Sequence, residues 1–279
     1  MIWAFWGTDE FSVVVLDTLK DRGLLPTLII TTPDKPKGRK LIITPPPVKI
    51  WAQENKIDFI QPDSLKFVSE KLKAKNYDLF LVASYGKIIS QTILDLPAHG
   101  TLNIHPSLLP RYRGSTPIES AILNGDKEAG VTIMLLDKEM DHGPIIAQEK
   151  IDLTGEETAP ILAKVLAQKG ANLFADVLAE WLAQKITPLE QDHDLATYTQ
   201  KIEKKYGEIN LNDPAILNFR RFRAYQPWPG VYTEIDNHQK KIRLTIKKAR
   251  LDGELFVIER VTPEGKKEMS WEEFQRGIR

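Results

Sequence analysis

The sequence GTLNIHPSLLPRYRG, residues 100–114, joins an apolar run to a loop bounded by two prolines. The run from Gly100 to Ile104 predicts a short buried strand. In α/β proteins the carboxyl ends of such strands lie at the ligand crevice. Asn103 and His105 are two residues apart, so on an extended strand their side chains share one face. An amide donor beside an imidazole can stabilise an oxyanion and move a proton. The same pattern is also typical of an Asn that caps a turn beside a hydrogen-bonded histidine.

A second loop, LLDKEMDHGPI at residues 135–145, follows a β-branched run that starts at Gly130. Asp141 lies in this loop, which Gly143 and Pro144 close. A carboxylate against His105 would favour the charged imidazolium and hold the ring in one orientation. Asp141 is therefore the third candidate catalytic residue. We assign no role to His142 and expect it to face solvent.

The N-terminal part of the chain predicts a Rossmann-like α/β domain. A strand from Ile2 to Phe5 precedes a glycine turn and a helix that runs to about Arg22, and a second strand follows at 28–32. The segment 78–83 is apolar throughout, as a central parallel strand should be. No G-x-G-x-x-G motif follows the first strand, so dinucleotide binding is not supported.

The C-terminal part predicts a smaller β domain. A helix over 214–225 precedes a Pro-Trp-Pro-Gly stretch, and alternating segments follow at 242–250 and 254–262. Short strands of this kind fit an OB-like β-barrel. Burial of the Trp228 side chain in this domain would explain why the Pro-Trp-Pro-Gly stretch contains a tryptophan. We expect a catalytic domain at 1–188, a linker at 189–205 and the barrel domain at 206–279.

Composition narrows the class of protein. The 279 residues include no cysteine, which excludes disulfides and thiolate metal sites and is typical of a cytoplasmic protein. None of the five histidines forms a metal-binding pair with a glutamate, so we expect no metal. We also expect no membrane segment, since no apolar stretch approaches about 20 residues. Residues 200–279 carry 17 Lys and Arg against 12 Asp and Glu, which favours a polyanionic partner.

Together the two loops resemble those of the formyltransferases that use 10-formyltetrahydrofolate. The family's Asn-x-His-x-Ser-x-Leu-Pro signature starts here at Asn103, and its later Asp-x-Gly loop starts at Asp141. The resemblance implies that Asn103, His105 and Asp141 are catalytic and that 10-formyltetrahydrofolate donates the formyl group. It also implies a folate site formed by two loops, with the residues Ser84, Tyr85, Gly86, Ser107, Leu108, Leu109 and Pro110.

A basic, proline-rich loop at 34–49 carries five cations. A long loop inside a compact domain is either functional or mobile, and a solvated linker explains the same composition. It resembles the insertion of those family members that act on methionyl-initiator-tRNA. The resemblance implies that four cations contact tRNA phosphates, namely Lys35, Lys37, Arg39 and Lys40.

The resemblance as a whole implies formyl transfer to the α-amino group of methionyl-initiator-tRNA, for translation initiation. Separately, we expect a cytoplasmic protein and a monomer. One alternative is a relative that formylates a sugar-nucleotide amine, which should lack the loop at 34–49 and the Pro-Trp-Pro-Gly stretch. Another is the purine-pathway enzyme that acts on a glycinamide ribonucleotide and is typically one domain. A non-catalytic RNA-binding module is a third, against which the set Asn103, His105 and Asp141 argues.

Overall fold

The computed structural model describes residues 1–38, 41–237 and 240–277, and the chain folds into two compact units. The first unit comprises Met1–Gly114, Ala129–Ile151 and Ala163–Tyr198, and the second comprises Ser115–Glu128, Asp152–Leu162 and Thr199–Arg279. The domain boundaries expected at 188/189 and 205/206 stay a prediction.

Strands and helices alternate in the first part of the chain, and strands predominate in the last part. The strands are β1 (Trp3–Gly7), β2 (Leu28–Ile30), β3 (Lys35–Lys37), β4 (Ile42–Thr44), β5 (Phe59–Ile60), β6 (Leu79–Ala83), β7 (Thr101–His105), β8 (Glu128–Leu135), β9 (Ile145–Asp152), β10 (Val231–Asn237), β11 (Lys240–Asp252), β12 (Leu255–Pro263) and β13 (Met269–Ser270). The helices are α1 (Glu10–Asp21), α2 (Pro47–Glu54), α3 (Val68–Lys73), α4 (Gln91–Leu94), α5 (Pro117–Asn124), α6 (Ala159–Leu182), α7 (Ala215–Ala224) and α8 (Trp271–Gly277).

The first unit is built on a seven-stranded sheet in the order β5-β2-β1-β6-β7-β8-β9. The strands from β5 to β7 are parallel, and β8 runs antiparallel to β7. Every residue of β1, β6 and β7 is buried, as expected for central parallel strands that are covered on both faces. The predicted α/β fold class with a Rossmann-like sheet is confirmed.

Helix α6 packs closely on β7 because it carries a glycine at the contact. A Cβ atom at Gly170 would lie 2.4 Å from Cγ2 of Ile104 and 2.8 Å from Cγ2 of Val131. Ile104 therefore points toward α6. Side chains alternate along a strand, so Asn103 and His105 point to the opposite face of the sheet. The close packing thus determines which face of β7 carries the polar residues.

The second unit contains a four-stranded antiparallel sheet in the order β10-β11-β12-β13. Strand β11 pairs with β10 along its first half and with β12 along its second, and the register shifts between Ile246 and Ala249. Such bulges bend a strand, which lets one long strand serve two partners. The predicted C-terminal β domain is confirmed. Trp228 is 57% exposed, so the expectation of a buried tryptophan is wrong.

Helix α5 shows that local sequence determines helix ends here. From sequence, Thr116 and Pro117 predict the start of a helix, and Asn124 followed by Gly125 predicts its end. In the structure Thr116 is the N-cap, Pro117 is the first residue, and Gly125 ends the helix in the left-handed conformation. None of the helices in the described residues is long and apolar enough to cross a membrane.

We predict that Gly170→Ala destabilises the protein, although alanine favours helices over glycine by about 1 kcal/mol. Ile104 and Val131 are β-branched and cannot easily turn aside, and such overpacking costs about 1–3 kcal/mol. The free energy of unfolding, measured by denaturant titration, should therefore fall. Gln168→Ala at an exposed position of the same helix should change it by less than about 0.5 kcal/mol. A rise on Gly170→Ala would contradict the close contact.

Candidate active site

Asn103 and His105 lie at the carboxyl end of β7, and both are buried, with exposures of 8% and 4%. In the sheet, Asn103 pairs with Val82 of β6 on one side and with Met134 of β8 on the other. No group in the described part of the chain hydrogen-bonds to the Asn103 carboxamide. The residue is only 8% exposed, but the polar atoms of its carboxamide are not fully buried, so a ligand can reach them. The Asn103 amide is therefore suited to bind a substrate oxygen.

The ring of His105 is held in one orientation by its two nitrogens. Nε2 lies 3.0 Å from the carbonyl oxygen of Tyr112. A carbonyl only accepts hydrogen bonds, so Nε2 carries the hydrogen. Nδ1 lies 3.6 Å from Oδ1 of Asp141, within ion-pair distance but beyond a hydrogen bond. Nδ1 is thus the ring nitrogen that faces the Asp141 carboxylate.

Asp141 is placed beside His105 by an unusual backbone conformation. Its φ angle is 49°, in the left-handed region that residues other than glycine rarely adopt. Its Oδ2 accepts a hydrogen bond of 2.7 Å from the amide of Gly114. Two residues later, a Cβ atom at Gly143 would lie 2.0 Å from the Leu135 carbonyl oxygen. The three predicted catalytic residues lie together, and their roles stay a prediction.

The loop that follows His105 is fixed by a network that the sequence did not reveal. The Thr132 hydroxyl donates to the carbonyl of Ser107 at 2.6 Å and accepts from the amide of Leu109 at 3.2 Å. The Gln148 amide donates to the Leu109 carbonyl at 2.9 Å. Ser107 and Leu109 are buried, while Leu108 and Pro110 are half-buried. The predicted folate loop is thus rigid, and its two half-buried residues are its most accessible ones.

The other predicted folate loop, Ser84–Gly86, divides into two exposed residues and one core residue. Ser84 and Gly86 are exposed and have left-handed φ angles of 52° and 74°. The Ser84 hydroxyl donates to Asp9 Oδ2 at 2.5 Å. Tyr85 is 2% exposed, and its ring packs edge-on against Trp6 with centroids 5.2 Å apart. Burial raises the pKa of the Tyr85 phenol to about 12. The side chain of Tyr85 is thus part of the core, and its carbonyl accepts a hydrogen bond of 2.9 Å from the Thr8 hydroxyl.

The predicted basic loop at 34–49 contains a β-hairpin and the first turn of α2. Strands β3 and β4 are antiparallel, with Lys35 opposite Thr44 and Lys37 opposite Ile42. At the base, Asp34 accepts hydrogen bonds from Gln61 at 2.7 Å and from Lys49 at 2.8 Å, and both lower the pKa of its carboxyl. Arg39 and Lys40, the other two predicted tRNA contacts, lie outside the described residues.

The hairpin also exposes three consecutive apolar side chains, which the sequence analysis did not recognise. They are 62–70% exposed, namely Leu41, Ile42 and Ile43. Lys35 and Lys37 are exposed as well. An exposed hairpin with lysines on one strand and apolar side chains on the turn and the other strand is unusual for a solvated linker, and such surfaces mark interaction sites.

His142 does not simply face solvent, contrary to the expectation from sequence. Its Nδ1 lies 2.7 Å from Oδ2 of Asp137, and its side chain is 29% exposed. Its ring stacks on that of His193, with centroids 4.0 Å apart and planes 8° apart. His193 comes from the segment that was expected to be a polar linker. The stacking joins His142 to a residue far away in sequence, so no local pattern could have predicted it.

Residues 2–178 match the formyl transferase family, and residues 201–256 match the formyl transferase C-terminal domain. The chain belongs to the formyl transferase family. The family expected from the two loops is confirmed, and with it an enzyme that transfers formyl groups.

Among curated relatives, the methionyl-tRNA formyltransferase of Listeria monocytogenes serotype 4a is 37% identical over 295 residues, which cover 98% of this chain and 94% of that protein. The methionyl-tRNA formyltransferase of Chloroflexus aurantiacus is 45% identical over 231 residues, which cover 82% of this chain and 74% of that protein.

Solved structures share the fold at low identity. The methionyl-tRNA formyltransferase from Clostridium thermocellum is 18% identical with a TM-score of 0.63, and the match covers 94% of this chain and 98% of that one. An N-formyltransferase from Helicobacter canadensis, in complex with folinic acid and dTDP-3-aminofucose, is 20% identical with a TM-score of 0.64, with coverages of 97% and 99%. At these identities the likeness shows the fold alone.

Within the described ranges, no three His, Asp or Glu side chains are placed to hold a metal ion. The expectation that the protein works without a metal stays a prediction.

Proposed function

We propose that this protein transfers the formyl group of 10-formyltetrahydrofolate to the α-amino group of methionyl-initiator-tRNA. The observation that carries the proposal is the Asn103 amide, which has no hydrogen bond within the described residues and lies two residues from His105 and its partner Asp141. The relatives named methionyl-tRNA formyltransferase, matched over 98% of this chain in one case, support the choice of acceptor. The Helicobacter canadensis structure with folinic acid supports a folate donor.

In the reaction the amine nitrogen attacks the formyl carbon, and the carbonyl oxygen becomes an oxyanion. The Asn103 amide donates a hydrogen bond to that oxygen, which is worth about 3–4 kcal/mol of transition-state stabilisation in comparable sites. The Nε2 hydrogen of His105 is engaged by the Tyr112 carbonyl. The second donor to the oxyanion is therefore the Nδ1–H group of His105, on the side of the ring that faces Asp141.

The products form when the bond between the formyl carbon and N10 breaks. The amine must lose a proton and N10 must gain one, so the two proton transfers balance. Asp141 accepts the amine proton through a water molecule, as its carboxylate is partly accessible, with a side chain 14% exposed. The folate lies along Ser84–Gly86 and Ser107–Pro110, whose backbone is rigid where the loops meet the sheet.

The hairpin β3–β4 contacts the tRNA. Lys35 and Lys37 lie on the same face of β3, two residues apart, and suit adjacent phosphates. Arg39 and Lys40 follow in sequence and belong to the same proposed contact. The domain boundaries, a monomeric state and a cytoplasmic location also stay predictions.

The acceptor is tested with purified protein, 10-formyltetrahydrofolate and three amines: methionyl-initiator-tRNA, methionyl-elongator-tRNA and a nucleotide-linked amino sugar. We expect formylation of the initiator tRNA at a kcat/KM at least about 100-fold above the other two, a difference of about 2.7 kcal/mol. Preferential formylation of the amino sugar would overturn the proposal and support the alternative acceptor.

Asn103→Ala and His105→Ala should each lower kcat by about 100-fold or more, since each removes one oxyanion donor. The KM for the folate should change little, because the donor is held by the loops. Asn172→Ala, an Asn on helix α6 far from β7 in sequence, is the matched control and should behave as wild type. Near wild-type turnover in Asn103→Ala or His105→Ala would refute the assigned roles.

Lys35→Ala with Lys37→Ala should weaken binding of initiator tRNA and flatten its salt dependence. Each neutralised phosphate contributes about 0.7–0.9 to the slope of log K against log salt, so two contacts amount to about 1.5. Affinity is measured at several salt concentrations, with folate binding as the internal reference. Lys71→Ala with Lys75→Ala removes one exposed lysine within helix α3 and one just after it, and it should leave the slope unchanged. Equal slopes in wild type and the hairpin variant would show a solvated hairpin.

A further inference from the structure

Arg113 follows the loop after β7, and its guanidinium is buried, with an exposure of 1%. Arginine stays charged in proteins, and a buried charge is costly unless its donors are satisfied. None of its described side-chain partners is a carboxylate, and all belong to one segment: Gln191 at 2.8 Å, His193 at 2.8 Å and Tyr198 at 3.3 Å. Its backbone amide also donates to the Thr197 carbonyl at 2.8 Å. Arg113 therefore fastens the 191–198 segment to the loop after β7.

Gln191 links Arg113 to the loop that carries Asp141. A guanidinium only donates, so the side-chain oxygen of Gln191 faces Arg113. Its side-chain nitrogen donates to the carbonyl of Asp141 at 3.0 Å and to that of Gly143 at 2.7 Å. If the side-chain amide were flipped, its nitrogen would face the Arg113 donors and its oxygen would face the carbonyls of Asp141 and Gly143. Gln191 is 5% exposed, and all of its hydrogen-bonding capacity on the amide nitrogen is used.

Asp141 needs such support because its backbone is strained. A residue other than glycine in the left-handed region persists only where its surroundings hold it there. Gln191 holds the backbone of Asp141, and the amide of Gly114 holds its carboxylate. Gly114 is the next residue after Arg113. The two hydrogen bonds that hold Asp141 therefore both depend on the residues 113–114, one through Gln191 and one directly.

We propose that Gln191, held by Arg113, is a positioning residue that keeps the Asp141 carboxylate against His105 for formyl transfer. The proposal rests on the function proposed above, in which Asp141 serves His105. Gln191 touches neither substrate. It acts through the backbone of the Asp141 loop.

Gln191→Glu separates positioning from general stability. The glutamate keeps the size of the side chain and can still accept from Arg113, as an ion pair. It loses both donors to the Asp141 and Gly143 carbonyls and sets a carboxylate oxygen against them. We expect kcat to fall about 10- to 100-fold, as misplacement of catalytic groups commonly costs, with the folate KM within about twofold. Hydrogen exchange at the Gly114 amide, measured by NMR, should accelerate by at least about tenfold.

Two further variants complete the test. Gln168→Glu makes the same change on the exposed face of α6 and should retain wild-type kcat and Gly114 exchange. Arg113→Lys keeps the charge but loses the planar fork, and it should lower kcat and speed Gly114 exchange in the same direction. It also serves as the second probe if Gln191→Glu folds poorly.

Wild-type turnover in Gln191→Glu, or a loss of turnover with an unchanged Gly114 amide, would overturn the positioning role. The exchange measurement needs no acceptor. If the wild-type protein failed to formylate methionyl-tRNA, the proposed function would fall, while a faster Gly114 exchange in Gln191→Glu would still support the role of Gln191 in holding the loop.

Discussion

The hydrogen bond of 2.7 Å from the Gly114 amide to Asp141 joins the two loops on which the candidate site depends. One loop follows His105 at the end of β7, and the other follows β8 and carries Asp141. Each strand is firmly held in the sheet, but neither strand alone brings an imidazole near a carboxylate. The distance of 3.6 Å between His105 and Asp141 results from this bond between the loops. Because a charge-assisted bond to a backbone amide is strong, it can hold a carboxylate in a strained loop.

The site places several polar groups in the interior, and each needs a partner. His105 has the Tyr112 carbonyl, Thr132 has the Ser107 carbonyl, and Arg113 has Gln191. Such networks rigidify a structure when they are complete and are costly when they are not. The Asn103 amide differs from these groups, because it has no hydrogen bond within the described residues and its polar atoms are not fully buried. Rigid surroundings and one free donor are what an oxyanion site requires, because the donor need not move during the reaction.

The two proposed substrate surfaces differ in how the chain supports them. The loops Ser84–Gly86 and Ser107–Pro110 are tied to buried strands, so their backbone geometry is determined by the core. The hairpin β3–β4 is a separate two-stranded sheet and is fastened at its base by Asp34, Lys49 and Gln61. A small rigid folate and a large polyanion place different demands on a protein. A rigid pocket suits the first, and an exposed arm with lysines suits the second.

The sequence by itself determined the fold class, the family and the residues of the candidate site. The apolar runs at 78–83 and 100–104 predicted buried parallel strands, and the signatures at Asn103 and Asp141 predicted the family. Thr116, Pro117 and Gly125 predicted the ends of α5, because helix ends depend on local backbone chemistry. Strand patterns and short motifs are local, and local information is what a sequence displays directly.

The tertiary structure alone decided how those residues are supported. The 189–205 segment looked like a polar linker, yet Gln191 and His193 bind Arg113 across about 80 positions of sequence. Tyr85 looked like a ligand-binding residue, yet its ring is part of the core beside Trp6. The loop at 34–49 looked like an irregular basic loop, yet it forms a hairpin with an apolar edge. Burial and hydrogen-bond pairing depend on which distant segments meet, and no local pattern contains that information.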